Sequence, residues 1–412
     1  MEGVEQPTIA LSRATGVSAA APPIPFDTER LDELMEESGI DALVVTSKHN
    51  IQYLLGGYRF FFFDHFDAIG VSRYLPILVY VKGHPERATY IGHPMERYEQ
   101  ELNRFWTPGF SPSARMSTDG MNAAVEQLSM VKPEAKKIGI ERAFLPADAE
   151  SMLRRALPRT EFVDAHLPLE RLRAVKTTRE LECLRNASEL VVDSMLAVMD
   201  GHGPGVTKLE LVEALRREEV NRGLTFEYCL ITAGTSLNRA PSDQILREGD
   251  ILSLDSGGNY KGYIGDLCRM GVFGEPDAEL KDLLDEVDAI QQAARRPIHH
   301  GARGGDVFAA AEELTRKSSH GNSLEFVAHG MGLISHEAPR LTDRGPVPYP
   351  AYDADLPLQR GMVLSIESTI LHPRRGFIKL EDTVAVTESG CEAFGDRGRG
   401  WNRCGAGVGG SR

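Results

Sequence analysis

The sequence predicts a two-domain α/β (α+β) protein, a small α/β domain followed by a larger one that mixes long helices with several strands. The length of 412 residues exceeds two typical domains, at roughly 150 residues per domain. Up to about residue 165, short β-branched apolar runs alternate with helical stretches, the pattern of a compact α/β unit. Beyond it the composition changes and a long amphipathic helix begins.

Residues 1–26 carry Glu2 and Glu5 and a run of Ala and Pro, with no basic start followed by an apolar stretch, so a mobile leader is expected and not a secretory signal. Asp27 is placed to cap a helix over 28–38, in which Leu31, Leu34 and Met35 recur at helical spacing before Gly39 stops it. Residues 41–46 (DALVVT), 75–81 (LPILVYV), 89–91 and 138–140 read as strands, with helical stretches near 50–55, 95–102 and 121–130 between them. Residues 167–176 lead into a helix over 178–199, opened by Thr177, Thr178 and Glu180 in capping-box order. Helices over 208–222, 278–298 and 306–317 and strands at 226–233 and 251–254 follow, then several more strands. Residues 398–412 are rich in glycine and read as a loose tail. The expected organisation is therefore a leader (1–26), an amino-terminal domain (27–165), a larger domain (166–397) and a tail (398–412).

Lys and Arg number 46 against 60 Asp and Glu, a formal charge of −14. Such a surface releases no counterions from nucleic acid or anionic lipid, so neither is an expected partner. No apolar run reaches the ~20 residues of a membrane-spanning helix. The five cysteines are scattered, odd in number and without a CxxC pair, which argues against a disulfide framework or thiolate zinc site and for a reducing, cytoplasmic setting.

The chemistry concentrates in four stretches. Between Asp250 and Arg269 an apolar strand delivers Asp255, and a glycine-rich turn (Gly257, Gly258, Gly262) returns the chain to deliver Asp266. A single such Asp is ordinarily a turn or surface residue; its company is what matters. Residues 326–339 (FVAHGMGLISHEAP) set His329 and His336 around glycines that leave the backbone open to a ligand. Residues 361–369 (GMVLSIEST) and 377–386 (FIKLEDTVAV) place Glu367 and Glu381 in apolar strands, where a carboxylate needs a cation or hydrogen bonds. Asp255, Asp266, His329, Glu367 and Glu381 supply four carboxylates and one imidazole, suited to two adjacent divalent cations such as Mn, Fe, Co or Zn about 3.5–4 Å apart.

The order Asp, Asp, His, Glu, Glu, the spacing of eleven between the two Asp, the HGMGLISHEAP pattern and the KLEDTVAVTESG end resemble the pita-bread-fold metallohydrolases, the family of Xaa-Pro aminopeptidases, prolidase, methionine aminopeptidase and creatinase. The resemblance covers about residues 175–393, and residues 27–165 resemble the amino-terminal domain of creatinase and the Xaa-Pro enzymes. It implies a curved antiparallel sheet in the larger domain and a homodimer. It also implies Asp255, Asp266, His329, Glu367 and Glu381 as ligands of two metal ions, manganese first, with Asp266 and Glu381 bridging. His336 would bind substrate and stabilise the tetrahedral intermediate, and Glu367 would also move a proton. The implied activity is hydrolysis of the Xaa-Pro bond of a dipeptide or short peptide by a metal-bound hydroxide.

Four substrate-pocket positions depart from the peptidase pattern. Asn238 stands where a substrate-binding His is usual, Lys379 where an Arg is, Ser368 where a Pro is, and Leu371 where a Tyr is. A non-peptidase hydrolase or lyase acting on a small molecule, similar to creatinase or the dimethylsulfoniopropionate lyase, is therefore the alternative, with a metal-free binding scaffold behind it. Finally, Tyr58, Phe60 to Phe63 and Phe66 crowd six aromatics into nine positions, and neither strand nor helix period turns all of them inward. Part of this loop is expected to cover the active site of a neighbouring subunit.

Overall fold

The computed structural model describes residues 21–65, 71–131, 134–344 and 349–407. It divides into two compact units, one holding residues up to Thr28 with Ile40–Val163, the other Glu29–Gly39 with Asp164–Arg412.

The chain enters α1 (Thr28–Glu37), then β1 (Ala42–Val45), α2 (Lys48–Leu54), β2 (Ile77–Val81) and β3 (Thr89–Ile91). α3 (Arg97–Glu101), β4 (Gly109–Ser111), α4 (Ser117–Ser129), β5 (Lys137–Ile140), α5 (Ala147–Ala156) and β6 (Glu161–Asp164) follow. The strands form one sheet in the order β4-β3-β2-β1-β5-β6, with β1 antiparallel to β2 and parallel to β5. β1 and β2 are apolar and buried along their whole length, as expected of strands covered on both faces. The chain is anchored at the last residue of the expected leader. Phe26 is buried with its ring 5.5 Å from that of Trp106, while residues 1–20 of that leader lie outside the described residues. In the aromatic run, Phe60 and Phe63 are buried and Phe61 is 54% exposed; Phe66 lies outside the described residues.

The second unit continues with α6 (His166–Ala174), α7 (Thr178–Gly201), α8 (Lys208–Asn221), β7 (Thr225–Ala233), β8 (Ile251–Tyr260) and β9 (Tyr263–Val272). It closes with α9 (Ala278–Arg295), α10 (Gly304–Lys317), β10 (Leu324–Gly330), β11 (Val363–His372), β12 (Gly376–Val386), β13 (Cys391–Phe394) and β14 (Asn402–Arg403). Capping boxes start α7 (Thr177 with Glu180) and α8 (Thr207 with Glu210), satisfying backbone donors that a helix start leaves open. The sheet runs β10-β11-β12-β9-β8-β7, with β13 beside β12 and β14 beside β9. Its pairings are antiparallel except that of β14 with β9. Leu252, Leu254 and Leu267 pack with α7 and α8 in one core, and Leu364, Ile366, Leu380 and Val384 with α9 in another. Alternate residues of those strands face the other way, and the polar residues lie there.

Two expectations change. Gly257 and Gly258 lie inside β8 and not in the turn, which falls at Tyr260–Tyr263. They are glycines for closeness: a Cβ on Gly257 would lie 2.4 Å from the Tyr228 ring, and one on Gly258 2.6 Å from Val191 of α7. The glycine-rich tail is docked as far as it is described. β14 pairs with β9, Trp401 Nε1 donates to Leu280 O at 2.9 Å, Cys404 is buried, and Arg399 pairs with Asp382 and Asp288. Composition marks the flexibility of a glycine-rich chain but not the few anchoring side chains within it. Among the described residues no helix is long and apolar enough to cross a membrane.

Candidate metal centre

Residues opposite one another in a sheet share a face, as do residues two apart along a strand. Glu367 stands opposite Glu381, Glu381 opposite Cys268, and Cys268 opposite Asp255. His329 stands opposite Ser365, two before Glu367, and Asp266, two before Cys268, stands opposite Gly257. All five expected ligands therefore project from one face. The two Asp are diagonal neighbours across the hairpin and not directly opposed. Gly257 leaves beside Asp266 the space that the Tyr228 ring fills, and Tyr228 hydrogen-bonds the Asp266 carboxyl.

Asp255, Asp266, His329 and Glu381 are buried. One ligand atom from each of Asp266, His329 and Glu381 lies within 4.8 Å of the others. Two carboxylates and an imidazole, dry and convergent, fit a borderline divalent cation. The electrostatics point the same way. Burial, with the Glu381 and Asp255 carboxylates, pushes the Asp266 carboxyl well above its usual range, and burial with Glu367 pushes Glu381 up to about 7. Such groups crave positive charge. Ser365 Oγ donates to Glu381 Oε1 at 2.8 Å, fixing that carboxyl group.

Asp255 and Glu367 face a different cation. Lys379 Nζ lies 2.7 Å from Asp255 Oδ2, 2.7 Å from Glu367 Oε2 and 2.8 Å from Glu381 Oε2. Burial raises the Glu367 carboxyl, but Lys379 and His329, whose Nε2 lies 2.9 Å from Glu367 Oε1, outweigh it and hold it well below the usual range. Arg239 also pairs with Asp255 Oδ2. Its neighbour Asn238, expected at the substrate, has an exposed side chain whose Oδ1 accepts from Ala240 N at 2.9 Å.

The His336 ring stacks on His329 with centroids 3.8 Å apart, and its buried Nδ1 has no hydrogen-bond partner among the described residues. Burial, then the His329 ring, lowers its pKa to about 3. The loop carrying it is held by Glu337, whose carboxylate accepts from Arg173 Nη2 at 3.0 Å and Lys176 Nζ at 2.9 Å. A cavity of about 590 Å³ reaches Glu367 and Lys379 and is walled by Phe308, Phe326 and Phe377, with Arg239 at its lining. Arg239, Tyr228 and Ser365 are the participants that sequence reasoning missed. Only the strand alternation places Tyr228 and Ser365 on this face, and Arg239, outside any strand, carries no signal.

Known proteins resemble this chain along most of its length. The model of metallopeptidase family M24 matches residues 182–388, and that of the creatinase/prolidase amino-terminal domain matches residues 28–175. An Xaa-Pro dipeptidase of Pyrococcus furiosus is 24% identical over 374 residues, 88% of this chain and 96% of that protein. A probable dipeptidase, PepE, of Mycobacterium tuberculosis is 32% identical over 291 residues, 68% of each chain. Among solved structures, an Xaa-Pro dipeptidase from Bacillus anthracis superposes with a TM-score of 0.75 at 24% identity, covering 91% of this chain and 98% of that one. The fold is thus that of the prolidases, a creatinase-like amino-terminal domain followed by a pita-bread domain on an antiparallel sheet. With residues 182–388 matched and its convergent carboxylates and imidazole on the matched strands, the chain belongs to metallopeptidase family M24.

Proposed function

We propose that this metallopeptidase hydrolyses the Xaa-Pro bond of dipeptides and short peptides. The observation that carries the reading is the buried convergence of Asp266, His329 and Glu381 beside an imidazole, His336, that has a free ring nitrogen. A divalent ion, when bound, supplies electrophilic activation of the scissile carbonyl and of the attacking water. Asp266, His329 and Glu381 would hold it, and this oxygen-rich set suits manganese. His336, neutral at working pH, meets the substrate through a hydrogen bond and steadies charge on the carbonyl oxygen. Glu367, whose Oε1 lies 2.9 Å from His329 Nε2, is the group assigned to shuttle a proton. The aromatic-walled cavity accepts an apolar side chain or a pyrrolidine ring. The names of the relatives, dipeptidases and an Xaa-Pro dipeptidase, support the peptide substrate.

Two observations favour a second reading, a small-molecule hydrolase or lyase on the same centre: Asn238 turns its side chain into its own loop, and Lys379 brings an ammonium to the cavity. The test is turnover of a panel of Xaa-Pro dipeptides and short peptides by metal-stripped protein reloaded separately with Mn, Co, Fe and Zn. Metal-dependent cleavage that disappears in Asp266→Ala is expected. No cleavage by protein with metal demonstrably bound overturns the peptidase reading and leaves the second one. A cytoplasmic setting accords with five free cysteines. A homodimer completed by the aromatic run around the exposed Phe61 is part of the same proposal, and a fully active monomer in sedimentation overturns it.

A further inference from the structure

Five candidate ligands are present, and among the described residues Asp266, His329 and Glu381 are the ones with ligand atoms all within 4.8 Å of one another. The other two, Asp255 and Glu367, share the Lys379 ammonium with Glu381 at 2.7, 2.7 and 2.8 Å. Nζ donates a hydrogen bond to Asp255 Oδ2, and the Glu367 and Glu381 oxygens lie within ion-pair distance of it. The Lys379 side chain is 5% exposed. Asp255 carries a second cation, the Arg239 guanidinium, on the same oxygen. The charges then nearly decide the stoichiometry. Asp255, Asp266, Glu367 and Glu381 contribute four negative charges when ionised, and Lys379, shared by three of them, and Arg239, on Asp255, return two positive ones. What is left equals the charge of one divalent ion. A second ion would have to lie between Asp255 and Glu367, against an ammonium in a dry environment where like charges repel strongly.

We propose that this chain binds one divalent ion per active site, at Asp266, His329 and Glu381, and that the Lys379 ammonium takes the place of a second. The proposal rests on the metal-dependent reading above and deepens it: Lys379 is a positioning residue that holds Asp255 and Glu367 apart from the metal. An ammonium, unlike a metal ion, fixes these carboxylates without offering an open coordination position.

The test is a count and not a rate. Metal-stripped protein is saturated with MnCl2, freed of excess by gel filtration and assayed for bound manganese by mass spectrometry, with electron paramagnetic resonance of the same sample. One equivalent per chain with the spectrum of an isolated Mn ion is expected. Lys379→Met, which leaves Asp255 and Glu367 without their ammonium, should bind up to two, with the spectrum of a coupled pair. Two equivalents in the unaltered protein overturn the proposal while leaving the hydrolase reading intact, whereas none at all overturns both. Because the decisive count is made on the unaltered chain, a Lys379→Met protein that fails to fold does not protect the idea.

Discussion

Ser256 has one hydroxyl proton and two acceptors, Glu219 Oε1 and the Tyr228 carbonyl, each 2.8 Å away. Both contacts are hydrogen bonds only if Glu219 itself carries a proton and donates to Ser256, which then donates to Tyr228. Burial pushes the Glu219 carboxyl up to about 7, consistent with that arrangement. The sign of the pH dependence follows. In the unfolded chain the group ionises near 4.5, so its contribution to stability is whole below that pH and is lost as pH rises through about 7. Glu219→Gln should therefore be more stable than the parent at pH 8, by up to about 3 kcal/mol. The gap should narrow as the pH is lowered toward 5. Urea melts at the two pH values measure it, and an equal gap at both would show that Glu219 is ionised in the native state throughout.

At the scale of elements, the register of five strands brings the candidate ligands to one face, and a buried ion triad positions the loop beyond β10. Glu337 joins that loop to Arg173 of α6 and to Lys176, with all three side chains 1% exposed. A Cβ on Gly332 would fall 2.3 Å from Glu337 Oε1, so the glycine is needed for the carboxylate to reach its partners. Removing the anion strands two cations without water. Glu337→Ala should cost about 3–5 kcal/mol and release the adjacent His336. Denaturant unfolding of the metal-free protein reads the first effect, and a loss below 1 kcal/mol would mean that water enters and solvates the two cations. This triad explains why Glu337, next to a candidate catalytic histidine, is structural.

For the molecule as a whole, the last described residues matter more than their composition suggests. Asp382 of β12 pairs with Arg269, Arg295 and Arg399, and only the last of these comes from the tail. Trp401 and Cys404 add apolar burial against α9 and β9. A chain ending at Gly398 loses these contacts and the β14 pairing, and should melt several degrees lower, since each kcal/mol is worth about 2–4 °C in proteins of 150–250 residues and less in a larger one. Differential scanning calorimetry checks this, and an unchanged melting temperature would mean that the tail is held only weakly.

The sequence by itself determined the order and type of the main elements, because helical and strand periods and caps are local. It also carried the five candidate ligand positions, because an eleven-residue spacing around one turn and charged residues in apolar runs leave a linear trace. Only the tertiary structure decided which of those five converge. The Lys379 ammonium is placed among Asp255, Glu367 and Glu381 by pairings that join β8 to β12, more than a hundred residues apart in sequence. Arg239 at Asp255, Asn238 turned away, Gly257 serving the Tyr228 ring and the docked tail have the same origin. Each depends on which side chains meet across the sheet, and a contact between distant segments imposes no period on either of them.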